Sequence, residues 1–342
     1  MKPTRSAALL IGPVLALFAI PAFYPLFNDG LTASFDGRTH LLRLAALANA
    51  VAEGIYLPRW LPAMQLGYGY PVFNFYPPGA YYLALLPSLF GVSLYWSYAL
   101  GFVLAILLAG IGATLLAFDL VRQYAAAGVQ PRALAVSVWD ALAPALLVGV
   151  AYMYAPYLLV NVYIRGSLPE AVAQALLPWV LWSSRRLLHQ ARPTGYVLFC
   201  AIFLAGLALT HSLTLLLAIP YLLVYLWVIW WNSGRSMATL RWIAVSLLLA
   251  AGVSAFFWLP MVVDRRYLSQ AGYAMARDGW LPGNVWQWST FLDRQFSYGY
   301  DFLRPVQLGL VQLIVGGGGF FWIRQRGEWL FFALAALLAM VS

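Results

Sequence analysis

Charge is scarce in this chain. Only 9% of its 342 residues are Asp, Glu, Lys or Arg, against 63% apolar, too few to clothe a soluble fold of this size. There is one cysteine, Cys200. It lies inside an apolar run, which excludes a disulfide framework or a cysteine metal cluster within one chain and says nothing about redox compartment. Histidine is limited to His40, His189 and His211. Internal repeats, low-complexity segments and a soluble domain are also missing, so residues 1–342 read as a single membrane domain.

What is present is apolar sequence in long runs. A mean hydropathy of +0.79, carried by repeated stretches long enough to cross a bilayer, identifies an all-α, polytopic transmembrane protein. Backbone groups in lipid must pair internally, so these stretches are helices. The runs at 8–27, 93–118, 139–160, 170–184, 194–210, 213–231, 242–260, 306–323 and 328–342 predict about nine spans. The segment 79–91 is too short to span and is bounded by prolines and glycine, so it is expected as an interfacial or re-entrant helix. Lys2 and Arg5 ahead of the first run also fit a signal peptide, but that run is long for one and an uncleaved helix is the expectation. The last run ends at Ser342 without a tail, which leaves a truncated C terminus open.

The net charge of +9 does not point to nucleic acid, because the arginines are scattered through short loops. The positive-inside rule accounts for them: with a cytoplasmic N terminus, Lys2, Arg5, Arg122, Arg132, Arg185, Arg186, Arg192, Arg235, Arg241, Arg324 and Arg326 fall on the cytoplasmic side. The opposite face then holds two long loops, 28–92 and 261–305, and most of the acids, among them Asp29, Asp36, Glu53, Glu170 and Asp264. Function is expected on that extracytoplasmic face, in a prokaryotic plasma membrane.

Ionisable groups concentrate in the first loop. In a helix starting near Asp36, the positions of Asp36, His40 and Arg43 share one stripe and Leu41, Leu44, Ala45, Ala48, Ala52 and Ile55 form another, which predicts an amphipathic juxtamembrane helix. Asp36 suits both a helix N-cap and a general base. His40 is either a satisfied interfacial histidine or a partner of Asp36 one turn away. Farther on, Arg59 and Trp60 precede Gly67-Tyr-Gly-Tyr-Pro-Val-Phe-Asn-Phe-Tyr-Pro-Pro78. Its Tyr68, Tyr70, Phe75 and Tyr76 offer stacking faces and hydroxyls for a sugar or an amphiphile head, or an aromatic belt at the interface. Proline and glycine fix a loop shape that anchoring does not need.

The order Asp-x-x-x-His-x-x-Arg, Gly-x-x-x-Pro-Arg-Trp and the aromatic segment resembles a bacterial and archaeal family of polytopic proteins. Its domain is called membrane protein 6-pyruvoyl-tetrahydropterin synthase-related, and it is similar to the GT-C superfamily of integral-membrane glycosyltransferases. The resemblance continues through Tyr163-Ile-Arg-Gly-Ser-Leu-Pro-Glu170 and Leu209-Thr-His-Ser-Leu213. A pterin synthase needs a histidine zinc site, which three dispersed histidines do not supply. The resemblance implies transfer of a sugar from a polyprenyl-phosphate donor to a glycan, lipid or protein acceptor, by inverting displacement, with Asp36 as base. Position 34 is Ser where GT-C sequences pair two acids. No metal site is therefore assigned, although a divalent cation stays open.

Arg165, ahead of the helix start at Pro169-Glu170, is the first candidate for the lipid phosphate, with interface snorkelling as the other role. Glu170 is a second acid or a first-turn carboxylate. His211 is a ligand or a turn residue, and Arg265 a further phosphate contact. A lipid-binding protein without catalysis and a flippase or transporter remain alternatives. Transporters carry intramembrane charges and broken helices in paired halves, and the sequence displays neither.

Overall fold

The structure is a computed structural model and describes residues 5–28, 34–126, 138–189, 193–234 and 237–268. Every element named among them is helical. They are α1 (Arg5–Phe23), α2 (Gly37–Ala52), α3 (Val72–Phe75), α4 (Gly79–Leu85), α5 (Leu94–Ala126), α6 (Val138–Met153), α7 (Pro156–Tyr163), α8 (Leu168–His189), α9 (Thr194–Thr210), α10 (Ser212–Asn232) and α11 (Met237–Asp264).

Among the described residues four helices, α1, α5, α10 and α11, are long and apolar enough to cross a membrane, and the bent pair α6–α7 raises the number to five. The protein is therefore a helical chain with several candidate spans. The expected runs at 306–323 and 328–342, and the loop 261–305 beyond Leu268, lie outside the described residues. Helix α9 matches the expected 194–210 but is shorter than a full span. Residues 79–91 form α4 and a short 3-10 turn, Leu86–Phe90, ending at Gly91.

The stretch expected as one helix over 139–160 is broken. Helices α6 and α7 meet at a bend of 40°. Pro156 explains it: proline lacks the N–H that would continue the ladder and forces the residue before it out of the helical region. Ala155 accordingly sits at φ −59°, ψ 127°. So the expectation of one continuous helix over 139–160 is corrected at this point.

The core is built around α5, whose Tyr98, Phe102, Ile106 and Ala109 are buried in one cluster with α1, α2, α4, α6 and α8. Leu44 and Leu47 plant the apolar stripe of α2 in that same core, so the first-loop helix is packed onto the bundle rather than lying free on a surface. Away from the site, Arg186 on α8 grips both carboxylate oxygens of Asp119 on α5 through Nε and Nη2. Both side chains are largely buried, and the two-pronged geometry sets the register between these helices.

Candidate active site

Four chain segments, distant in sequence, meet at one end of the bundle. The first is the run-in to α2. Phe35 N–H donates to Ile164 O at 2.8 Å and Asp36 N–H to Arg165 O at 2.6 Å, which docks Ser34-Phe-Asp against the turn between α7 and α8. That turn needs Gly166, at φ 63°. A Cβ there would lie 2.2 Å from Ser34 Oγ and 2.9 Å from Gly37 Cα. Tyr98 on α5 donates its hydroxyl to Gly166 O at 2.6 Å from below. Ser34 is thus a packed, buried junction residue.

The junction sets Asp36 against Arg165. Asp36 occupies the N-cap position of α2, yet its carboxylate makes no capping bond. It faces Arg165 Nη2 at 3.4 Å instead, with 29% of the side chain exposed. The guanidinium is held from the other side: Nη1 donates to Glu170 Oε2 and to Asn161 Oδ1, the latter at 3.1 Å. Glu170 is 8% exposed and accepts a second bond from Tyr157 at Oε1. Both its oxygens are occupied, whereas Asp36 is open. Among the described residues Arg165 Nη2 has only the long Asp36 contact, so the cation retains donor capacity for an anionic ligand.

The second layer is aromatic. His40 is 4% exposed and its Nδ1 lies 2.6 Å from the hydroxyl of Tyr81 on α4. Burial, reinforced by the nearby Arg43, Arg165 and His211, lowers its pKa to about 3. The ring is neutral at physiological pH. Arg43 stacks over Tyr76, 4.6 Å from the ring centroid, and reaches the Tyr81 hydroxyl at 3.4 Å. Burial is the main cause that raises the Tyr76 pKa to about 12, and it raises that of Tyr81 further, so both stay protonated.

The remaining wall is the elbow between α9 and α10. His211 is extended, at φ −152°, and its Nδ1 accepts from Thr214 N–H at 3.3 Å, capping α10. The turn role expected for it is therefore real. It also lies within electrostatic reach of Glu170, Arg165 and His40. Gly79 lets α4 approach this elbow, since a Cβ there would lie 2.6 Å from Leu209 O.

The structure brings together Asp36, His40, Arg43, Tyr76, Arg165, Glu170 and His211. Tyr70 is close enough to Arg43 to act on its charge. Arg59, Trp60 and Tyr68 are exposed on a neighbouring hairpin, closed by paired backbone bonds between Leu61 and Tyr70 at 3.0 and 3.1 Å. Phe75 is half-buried, and Arg265 is exposed beyond α11. Asp264, beside it, accepts from Asn74 Nδ2 at 2.9 Å, so the α11 end is tied to the first loop through its acid.

Sequence reasoning missed Tyr81, Tyr157, Asn161 and Tyr98. Tyr157 and Asn161 had a signal, standing eight and four residues before Arg165 on one helical face. Tyr81 had none. Among the described residues no three His, Cys, Asp or Glu side chains converge as metal ligands. Arg165 instead supplies the cation between the two carboxylates.

No family model matches the chain, and no solved structure matches it. It is 23% identical over 296 residues to an uncharacterized protein of Lactococcus lactis subsp. cremoris (strain MG1363), covering 83% of this chain. The chain spans about half the length of that relative, of which the match takes 45%.

Proposed function

We propose that this protein is a GT-C-like glycosyltransferase that moves a sugar from a polyprenyl-phosphate donor to a hydroxyl acceptor on the extracytoplasmic face. The observation that carries the reading is the arrangement Asp36···Arg165–Glu170. A half-open carboxylate faces a cation with spare donors, and a buried carboxylate fixes that cation. Asp36 takes the acceptor's proton as its oxygen attacks the anomeric carbon. The lipid phosphate departs with the bonding electrons and is met by Arg165. Glu170 acts through Arg165 as a positioning residue. His40, buried and neutral, positions Tyr81 and thereby Arg43, rather than exchanging protons with substrate. Tyr70 and Tyr76 flank the sugar path.

The same proposal takes about nine spans, a cytoplasmic N terminus and both long loops outside, as the distribution of arginines favours. The test is incubation of purified protein with a panel of labelled polyprenyl-phosphate sugars and candidate acceptors, following release of sugar from lipid. Turnover with at least one donor supports transfer. A second reading, a flippase or transporter, draws on the broken α6–α7 pair beside buried Asn161. It predicts lipid movement between leaflets of proteoliposomes with no sugar released.

A further inference from the structure

At the edge of the site, one segment is at odds with water. The hairpin between Leu61 and Tyr70 displays Leu66 at its tip, 100% exposed. Its backbone is left-handed, at φ 59°, ψ 27°, following Gln65 at φ 53°. Side chains with a Cβ avoid this region, and a leucine gains nothing from solvent there. Gly67 and Gly69, at φ 89° and 81°, complete a turn whose shape depends on positive φ. Gly69 also leaves room for the Trp60 indole, which a Cβ would meet at 2.3 Å. The turn therefore spends conformational strain on presenting an apolar tip.

The tip has company. Tyr68 is 86% exposed and Trp60 53%, with Tyr56, Leu57 and Ile55 exposed where the hairpin begins. Arg59 is exposed among them. Tyr82 in the middle of α4 donates its hydroxyl to Tyr56 O, tying this patch to the helix that leads into the Leu86–Phe90 turn. There Leu86, Leu89 and Phe90 are exposed immediately before the spanning helix α5 begins at Leu94. An apolar tip, flanking Trp and Tyr and a basic residue are the chemistry of the lipid–water boundary, where aromatic rings sit at headgroup depth and arginine meets phosphate. The continuity with the start of α5 puts the patch beside the bilayer rather than far above it.

We propose that the Trp60–Tyr70 hairpin is a membrane-dipping finger, with Leu66 and Tyr68 seated in the headgroup region of the outer leaflet and Arg59 on lipid phosphate. It fixes the first loop against the bilayer independently of what the site does. The test is a single-cysteine chain, Cys200→Ala with Leu66→Cys, labelled with an environment-sensitive fluorophore. It is reconstituted in nanodiscs of phosphatidylethanolamine and phosphatidylglycerol carrying a nitroxide either on the headgroup or midway along the acyl chain. Leu248→Cys, exposed midway along α11, is the deep reference. The finger predicts blue-shifted emission at position 66, quenched more by the headgroup nitroxide than by the mid-chain one, and the opposite order at 248. Water-like emission unquenched by either overturns the proposal. Blue-shifted emission unquenched by both overturns it too, because the tip is then covered by protein.

Discussion

At the residue scale, the site depends on a glycine that carries no chemistry. Gly166 holds a left-handed turn against Ser34 and Gly37, and the turn aims Arg165 at Asp36. Gly166→Ala is expected to cost at least about 1–2 kcal/mol, since the new Cβ meets both strain and steric clash. A lowered melting temperature in detergent, with activity lost more than stability, is the outcome to look for. His40 gives a pH signature. Its pKa is lowered from 6.5 to about 3 by burial and by the cations around it. Between those values the unfolded chain takes up a proton that the folded chain refuses, so stability falls as pH falls through that window. His40→Gln should flatten the dependence when melting is compared between about pH 7.5 and about pH 5. The stripe of Asp36, His40 and Arg43 was legible from helical spacing. Its division of labour was not, because Tyr81, which buries His40 and engages Arg43, is 41 positions away and leaves no periodic trace.

At the element scale, the turn between α7 and α8 is the organising piece. Pro156 starts α7, and Tyr157, Asn161 and Arg165 then follow along one face to meet Glu170 at the start of α8. Removing the cation alone leaves the buried Glu170 with the Tyr157 hydroxyl and no counter-charge. Arg165→Ala should therefore destabilise, by about 1–3 kcal/mol, since the arginine side chain is 37% exposed and partly screened by solvent. Arg165→Lys should recover part of this, since a lysine carries the charge but not the fork that reaches Asn161, Glu170 and Asp36 together. Equilibrium unfolding of the two variants in mixed micelles checks the order. The existence of α2, α5, α10 and α11 could be read from apolar runs and spacing. The break at Ala155 had its signal in Pro156, and was overlooked because hydropathy alone treats 139–160 as one stretch. The pairing of the two motifs through backbone bonds at Phe35 and Asp36 could not be read, since hydrogen bonds between distant segments are invisible to local pattern.

At the scale of the whole molecule, the orientation proposed from arginine placement puts α2 outside and the α10–α11 connection inside. In a Cys200→Ala background, Glu53→Cys should react with a membrane-impermeant thiol reagent added to intact cells. Arg241→Cys should react only after the cells are opened. Both parent side chains are exposed, so differences in labelling report side of the membrane rather than burial. The membrane character of the chain followed from its shortage of charge, whereas the cluster at one bundle end needed tertiary packing to appear. The most direct measurement is sugar release from labelled polyprenyl-phosphate donors by wild type, Asp36→Asn and Glu53→Gln, the last an exposed acid of the same loop. Asp36→Asn should stay folded, still bind donor lipid and lose about 10²–10⁴-fold in turnover, while Glu53→Gln turns over like wild type. Undiminished release by a folded Asp36→Asn protein would contradict the account.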